Sequence, residues 1–136
     1  MPTSRALVDT SAYFALVDAD DINHLRAAAV SGTVRGRIFT TNYVLAETHA
    51  LLLRRLGRST AIQFLNETDR DRTIVVRVSL TDERRVREII TTHDDKDYSL
   101  TDATSFAVME RLRIGAAFTF DRHFLQYGFA VLGPEE

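Results

Sequence analysis

The segment Arg5-Ala-Leu-Val-Asp-Thr-Ser-Ala-Tyr-Phe-Ala-Leu-Val17 decides the fold. Its first part, Arg5 to Asp9, is a short apolar run closing on an acid, which reads as a buried strand. Its second part, Ser11 to Val17, reads as a short helix. A strand that runs straight into a helix cannot form a hairpin with its neighbour. Repeated along a chain, the unit builds a parallel sheet covered by its own helices.

The alternation does repeat. After Asp20 and Asp21, Ile22 to Val30 reads as a helix, and Gly32 and Gly36 mark a loop. Arg37-Ile-Phe-Thr40 reads as a strand, and Thr41 or Asn42 can cap a long helix that Gly57 stops after Leu56. A helix follows from Ser59 to Thr68. The β-branched run Thr73-Ile-Val-Val-Arg-Val78 is strand-like. Thr81 to Thr92 is helical, and Thr81-x-x-Arg84 is not a full capping box. Asp94-Asp-Lys-Asp97 is a polar loop, and Thr101 to Arg113 is a helix stopped at Gly115. Ala116-Ala-Phe-Thr-Phe120 is a buried strand ending in Asp121. A helical turn and a last strand, Phe129-Ala-Val-Leu132, follow. The expectation is an α/β fold on a mainly parallel sheet. Its strand C-terminal ends share the one edge where such folds place their chemistry.

With 136 residues the chain suits one domain, 1–136. Hydrophobic residues make up 45% and charged residues 26%, as in ordinary globular proteins. No apolar run approaches the roughly 20 residues that span a membrane, and the first residues lack a secretory pattern. The absence of cysteine excludes disulfides, thiolate metal sites and a cysteine nucleophile, and fits a cytoplasmic location. The net charge of −2 gives no global basic field. Lys96 is the sole lysine, so the cations are arginines, whose planar fork suits phosphate. A genome rich in arginine codons accounts for the same bias.

Four acids stand out by position. Asp9 and Asp121 end buried strands at the reactive edge. Glu47 has Tyr43, Val44, Ala50 and Leu51 as helical neighbours, so it is expected to face the core, where an ionised carboxylate must be paired, protonated or metal-bound. A salt bridge to Arg54 or Arg55 is the structural alternative. Asp102 opens a helix, where an acid also simply meets the helix dipole, with Ser99 or Thr101 as cap. Three or four carboxylates brought together repel one another and need a cation. Oxygen donors without a cysteine or histidine cluster suit Mg²⁺ or Mn²⁺, which bind phosphate oxygens and activate water. Phosphodiester hydrolysis follows as the expected reaction. His24, His49, His93 and His123 are scattered, and His123, beside apolar Phe124, reads as packed or surface-exposed. Gly32 and Gly36 lack the Lys-Ser/Thr of a phosphate-cradling loop. Asp9-Thr-Ser11 lacks the second acid of an Asp-x-Asp phosphotransfer motif.

Four fragments in order also resemble a known family. Leu7-Val-Asp-Thr-Ser-Ala-Tyr-Phe14, Thr40-Thr-Asn-Tyr-Val-Leu-Ala-Glu47, Lys96-Asp-Tyr-Ser-Leu-Thr-Asp-Ala103 and Phe118-Thr-Phe-Asp-Arg-His-Phe124 resemble the four motifs of PIN domains. The resemblance implies a three-layer α/β/α sandwich around a mostly parallel five-stranded sheet. It implies a metal-dependent endoribonuclease with Asp9, Glu47, Asp102 and Asp121 as metal-binding, catalytic acids. Asp97 and Ser99 sit where some relatives carry extra polar groups. Thr10 and Ser11 are placed to hold the loop of the first motif through hydroxyl hydrogen bonds, as is Thr119 near the last acid. The compact size is similar to VapC-type toxins of toxin–antitoxin pairs, which implies an RNA substrate, a small cognate antitoxin and a homodimer. Arg122 and the arginines of 35–37 are candidates for holding the RNA backbone. A PIN-like module that binds RNA or a partner without cleaving is the alternative.

Overall fold

Leu7 and Val8 are adjacent in the chain and belong to two different hydrophobic cores. That is the two-residue alternation of a strand covered on both faces. The computed structural model describes residues 4–34 and 36–134. The strands are β1 (Arg5–Val8), β2 (Arg37–Thr41), β3 (Ile74–Val76), β4 (Ala116–Phe118) and β5 (Ala130–Leu132). The helices are α1 (Thr10–Val17), α2 (His24–Ser31), α3 (Asn42–Leu56), α4 (Arg58–Arg70), α5 (Leu80–Thr92), α6 (Leu100–Leu112) and α7 (His123–Tyr127). The sheet runs in the order β3-β2-β1-β4-β5, and each adjacent pair is parallel.

One face of the sheet, through Leu7, Phe39 and Ala117, packs against Val86 and Ile89 of α5, Phe106 and Met109 of α6 and Phe124 of α7. The other, through Val8 and Phe118, packs against Ala12 and Tyr13 of α1, Val30 of α2, Val44 and Leu52 of α3 and Phe64 of α4. The result is the expected three-layer α/β/α sandwich. The chain steps outward from β1 to β2 and β3, then returns to the other side of β1 with β4 and β5. The C-terminal ends of β1 and β4 therefore flank the point where the winding reverses, the place where such sheets open a crevice.

Several boundaries differ from the sequence reading, each for a local reason. β3 is shorter than Thr73–Val78, because the Val78 amide leaves the ladder to bond Asn42 Oδ1 at 3.1 Å. β4 stops at Phe118: the amides of Phe120 and Asp121 turn to the side-chain oxygens of Ser11 and Thr119, both at 2.9 Å. Asp121 thus lies in the loop beyond β4 and not at the strand end. α6 ends at Leu112 because Arg113 adopts a left-handed conformation, φ 57°, ahead of Gly115. α5 starts on Ser79, whose side chain and that of Asp82 complete a capping box that the Thr81 register missed. Thr41 caps α3 through the Val44 amide, and Gly57 ends that helix with φ 95°. Among the described residues no helix is long and apolar enough to cross a membrane.

Candidate active site

Asp9 follows β1 directly and caps α1. Its amide donates to the Phe118 carbonyl at 3.0 Å, which locks the end of β1 to the end of β4. One carboxylate oxygen, Oδ2, accepts from Ser11 Oγ at 2.9 Å and Thr119 Oγ1 at 3.0 Å, with the Ser11 amide at 3.4 Å. The two hydroxyls are 3.2 Å apart. Thr119 is fully buried, and both hydroxyls also receive the backbone amides that start the Asp121 loop. Ser11 and Thr119 are therefore a brace shared by two acids. The Thr10 hydroxyl is not part of it: it is buried and, among the described residues, has no hydrogen-bond partner. Burial pushes the Asp9 carboxyl up to about 6, and the nearby charge of Asp102 adds to the rise, while the Ser11 and Thr119 hydroxyls oppose it.

Asp102 is the third residue of α6. Its amide donates to Ser99 Oγ at 3.0 Å, and the Ser99 amide donates back to Asp102 Oδ2 at 3.3 Å. This capping box fixes the side chain at the start of the helix. Burial holds its carboxyl above the usual carboxylate range, the bond to His123 opposes that, and the charge of Asp121 adds to it. Asp121 accepts the His123 amide on Oδ1 at 2.9 Å. The three acids grade from depth to surface: Asp9 is 3% exposed, and the side chains of Asp102 and Asp121 are 10% and 33% exposed.

The imidazole of His123 stands against Asp102 and Asp121, and these three residues form a cluster that does not include Asp9. Its Nδ1 lies 2.9 Å from Asp102 Oδ2 and 3.4 Å from Asp121 Oδ1. One donor atom from each of the three residues falls within 4.8 Å of the others. From sequence alone His123 is expected to be packed or exposed. It is packed, edge-on to Tyr98 at 5.3 Å between ring centroids, yet it also points a nitrogen at two acids. Its position two residues after Asp121, at the start of α7, was the only available signal. Among the described residues no arginine or lysine nitrogen comes within 4.0 Å of Asp9, Asp102 or Asp121. Mutually repelling carboxylates that, among the described residues, have no arginine or lysine partner make a donor set that suits a hard divalent ion.

Glu47 departs from its expected surroundings. The buried stripe of α3 is Val44, Thr48 and Leu52, at intervals of four, and Glu47 falls one position off it. Its side chain is exposed rather than core-facing, and it belongs neither to the Asp102–Asp121–His123 group nor, among the described residues, to an ion pair with Arg54 or Arg55. It stands in the second turn of a helix that begins at the C-terminal end of β2, on the same edge as the other acids. Asp97 is exposed in the loop before α6, and Ser99 serves as the cap. Arg122 is exposed between Asp121 and His123. Arg37 opens β2 and so lies at the opposite edge of the sheet, too far round to hold a substrate at Asp9. Arg35 lies outside the described residues.

Comparison with known proteins gives a consistent picture. The PIN domain family matches residues 6–130. Two relatives from Mycobacterium tuberculosis, strains CDC 1551 / Oshkosh and ATCC 25618 / H37Rv, are each described as the 23S rRNA-specific endonuclease VapC20. Each is 37% identical over 128 residues, spanning 94% of this chain and 98% of the relative. The crystal structure of Mycobacterium tuberculosis VapC20, described as a toxin that cleaves the sarcin–ricin loop, is similar with a TM-score of 0.91. That likeness is at 36% identity and covers 96% of this chain and all of the other.

Proposed function

Because the chain belongs to the PIN-domain family, we propose that it is an endoribonuclease that hydrolyses RNA phosphodiester bonds as the toxin of a toxin–antitoxin pair. The observation that carries this reading is the set of Asp9, Asp102 and Asp121 at the crevice between β1 and β4, two of them raised above the usual carboxylate range by burial and mutual repulsion. Residues 1–136 are read as one PIN domain, working in the cytoplasm as a homodimer with a small antitoxin as partner. The proposed RNA is the sarcin–ricin loop of 23S rRNA, on the likeness to VapC20.

Asp9, Asp102 and Asp121 would hold Mg²⁺ or Mn²⁺. Such an ion, when bound, supplies charge for the phosphoryl oxygens and acidifies a water for in-line attack. The chain's own groups set up that chemistry. The Ser11 and Thr119 hydroxyls hold one oxygen of Asp9. Ser99 and the helix start fix Asp102. Glu47, the acid that keeps its hydration, is the proposed residue to orient the attacking water from the solvent side. Exposed Arg122 is placed to meet a phosphate of the substrate backbone.

The test is cleavage of a sarcin–ricin hairpin, and of a scrambled hairpin, by pure protein in Mn²⁺. Asp9→Asn should lower the rate at least ~100-fold. Glu47→Gln should lower it while leaving the melting temperature unchanged, since exposed substitutions alter stability by about 0.5 kcal/mol or less. Cleavage that survives Asp9→Asn overturns the assignment. Equal cutting of both hairpins overturns the substrate alone.

A further inference from the structure

We propose that His123 is a metal-selecting residue: its Nδ1 joins Asp102 and Asp121 as a nitrogen donor and biases the site toward Mn²⁺ and later transition ions over Mg²⁺. The inference rests on the reading of these acids as an ion site and goes beyond it, because an oxygen-only set carries no such bias.

Nδ1 now hydrogen-bonds Asp102, and the same spacing suits neighbouring ligands. Donors at right angles around an ion with bonds near 2.1 Å sit about 3 Å apart. Nδ1 is 2.9 Å from Asp102 Oδ2 and 3.4 Å from Asp121 Oδ1. The ring is also held in place. Tyr98 packs edge-on against it, and Tyr98 is itself packed against Phe106 and Tyr127. The His123 amide is tied to Asp121 Oδ1 at 2.9 Å, so the histidine and the outermost acid move as one unit at the start of α7. The side chain remains 28% exposed, which leaves the group open to an ion arriving from solvent. Carboxylate sites take Mg²⁺ readily, whereas imidazole favours transition ions in the order of increasing affinity from Mn²⁺ to Cu²⁺. A neutral imidazole protonated on Nε2 presents a lone pair on Nδ1, which an ion can take in place of the Asp102 contact.

The rival role is positioning: His123 would only steady Asp102. The two differ in selectivity. A residue that steadies an oxygen ligand affects both ions alike, whereas a nitrogen ligand matters chiefly to the transition ion.

The experiment is separate calorimetric titration of Mn²⁺ and Mg²⁺, without RNA, into the unsubstituted protein, His123→Asn and Asp102→Asn. The His123 substitution should weaken Mn²⁺ binding at least ~10-fold and leave Mg²⁺ within about threefold. In the unsubstituted protein, Zn²⁺ as a diamagnetic probe should move the ¹⁵N resonance of His123 Nδ1 to a metal-bound position while Nε2 keeps its proton. That measurement stands even where a variant fails to fold. Equal weakening for both ions, unchanged Mn²⁺ binding, or a Zn²⁺ shift confined to Nε2 overturns the proposal and leaves the nuclease reading intact. Full affinity for both ions in Asp102→Asn overturns both.

Discussion

The tetrapeptide Ser-Leu-Thr-Asp occurs twice, at 79–82 and 99–102, and folds identically as a helix-capping box. The two aspartates then part company. Asp82 accepts Nε and Nη2 of Arg111 at 2.7 and 2.8 Å, and the guanidinium holds its carboxyl below the usual range. Asp102 finds His123 and Asp121 instead and is held above that range, chiefly by burial. The first is paired as a structural acid, and the second is the one proposed to bind the metal. Asp82→Ala should therefore cost about 2–3 kcal/mol, from the lost bidentate pair and half of a cap, and leave residual cleavage in proportion to the folded fraction. Asp102→Asn keeps a carbonyl for the Ser99 amide, so it should melt no lower than the parent in EDTA yet lose cleavage. Denaturant melts beside cleavage assays separate the two outcomes; an Asp102→Asn protein that melts several degrees lower would make Asp102 structural as well. The positions of Asp9 and Asp102 were legible because a strand end and a helix start are read from local pattern, whereas Asp121 falls beyond its strand, in a loop set by Ser11 and Thr119. The exposure of Glu47 was not, because one position of helical phase separates it from the buried stripe. His123 was not, because its meaning comes from Asp102, 21 residues away in the chain.

At the level of elements, the β4–β5 pair supports the site from behind. The Thr119 amide donates to the Leu132 carbonyl at 2.9 Å, and Thr119 then spends its hydroxyl on Asp9. Gly133, the next residue, has φ 132°, and a Cβ there would fall 2.5 Å from the Thr119 carbonyl oxygen. Gly133→Ala should cost about 1–3 kcal/mol in backbone strain and displace the brace under Asp9. The expected readouts are a lower melting temperature together with weaker Mn²⁺ binding, although no charge has changed. Unaltered Mn²⁺ affinity in the folded variant would show that Asp9 does not depend on this strand pair. The elements themselves were largely legible. β1, α1, β2 and α3 carry clear alternation and caps. α6 is expected as a helix over Thr101 to Arg113, although Asp102 to Met109 are buried without a break and leave no amphipathic stripe. The errors lie at ends settled by distant partners: β3 yields Val78 to Asn42, and β4 yields its last amides to Ser11 and Thr119.

For the whole molecule, the winding order β3-β2-β1-β4-β5 brings Asp9 and the Asp121 loop together, although more than a hundred residues separate them. The parallel sheet that predicts this edge also excludes Arg37, which local composition alone could not place. Burying Asp9 at this point carries an electrostatic cost, to which the charge of Asp102 adds. Without metal, the folded chain keeps a proton on Asp9 up to a pH of about 6, while the unfolded chain releases it near 3.8. Between those values the folded state binds the more protons, so stability must fall as the pH rises through the window, by about 3 kcal/mol in all, and this group adds no further change above it. Asp102 acts in the same direction. In EDTA the melting temperature should therefore decline from pH 4.5 to pH 7 relative to Asp9→Asn, which should lie higher at pH 7 by roughly 10 °C. A divalent ion reverses the sign, because it binds the ionised acids. Mn²⁺ at a hundredfold excess over its Kd stabilises by about 2.7 kcal/mol, and the gain should grow from pH 5.5 to pH 7.5 and vanish on chelation. Scanning calorimetry at these pH values, with Mn²⁺ and with EDTA, measures both limbs. Equal Mn²⁺ stabilisation of the parent and of Asp9→Asn at pH 7.5 would place the ion elsewhere on the molecule.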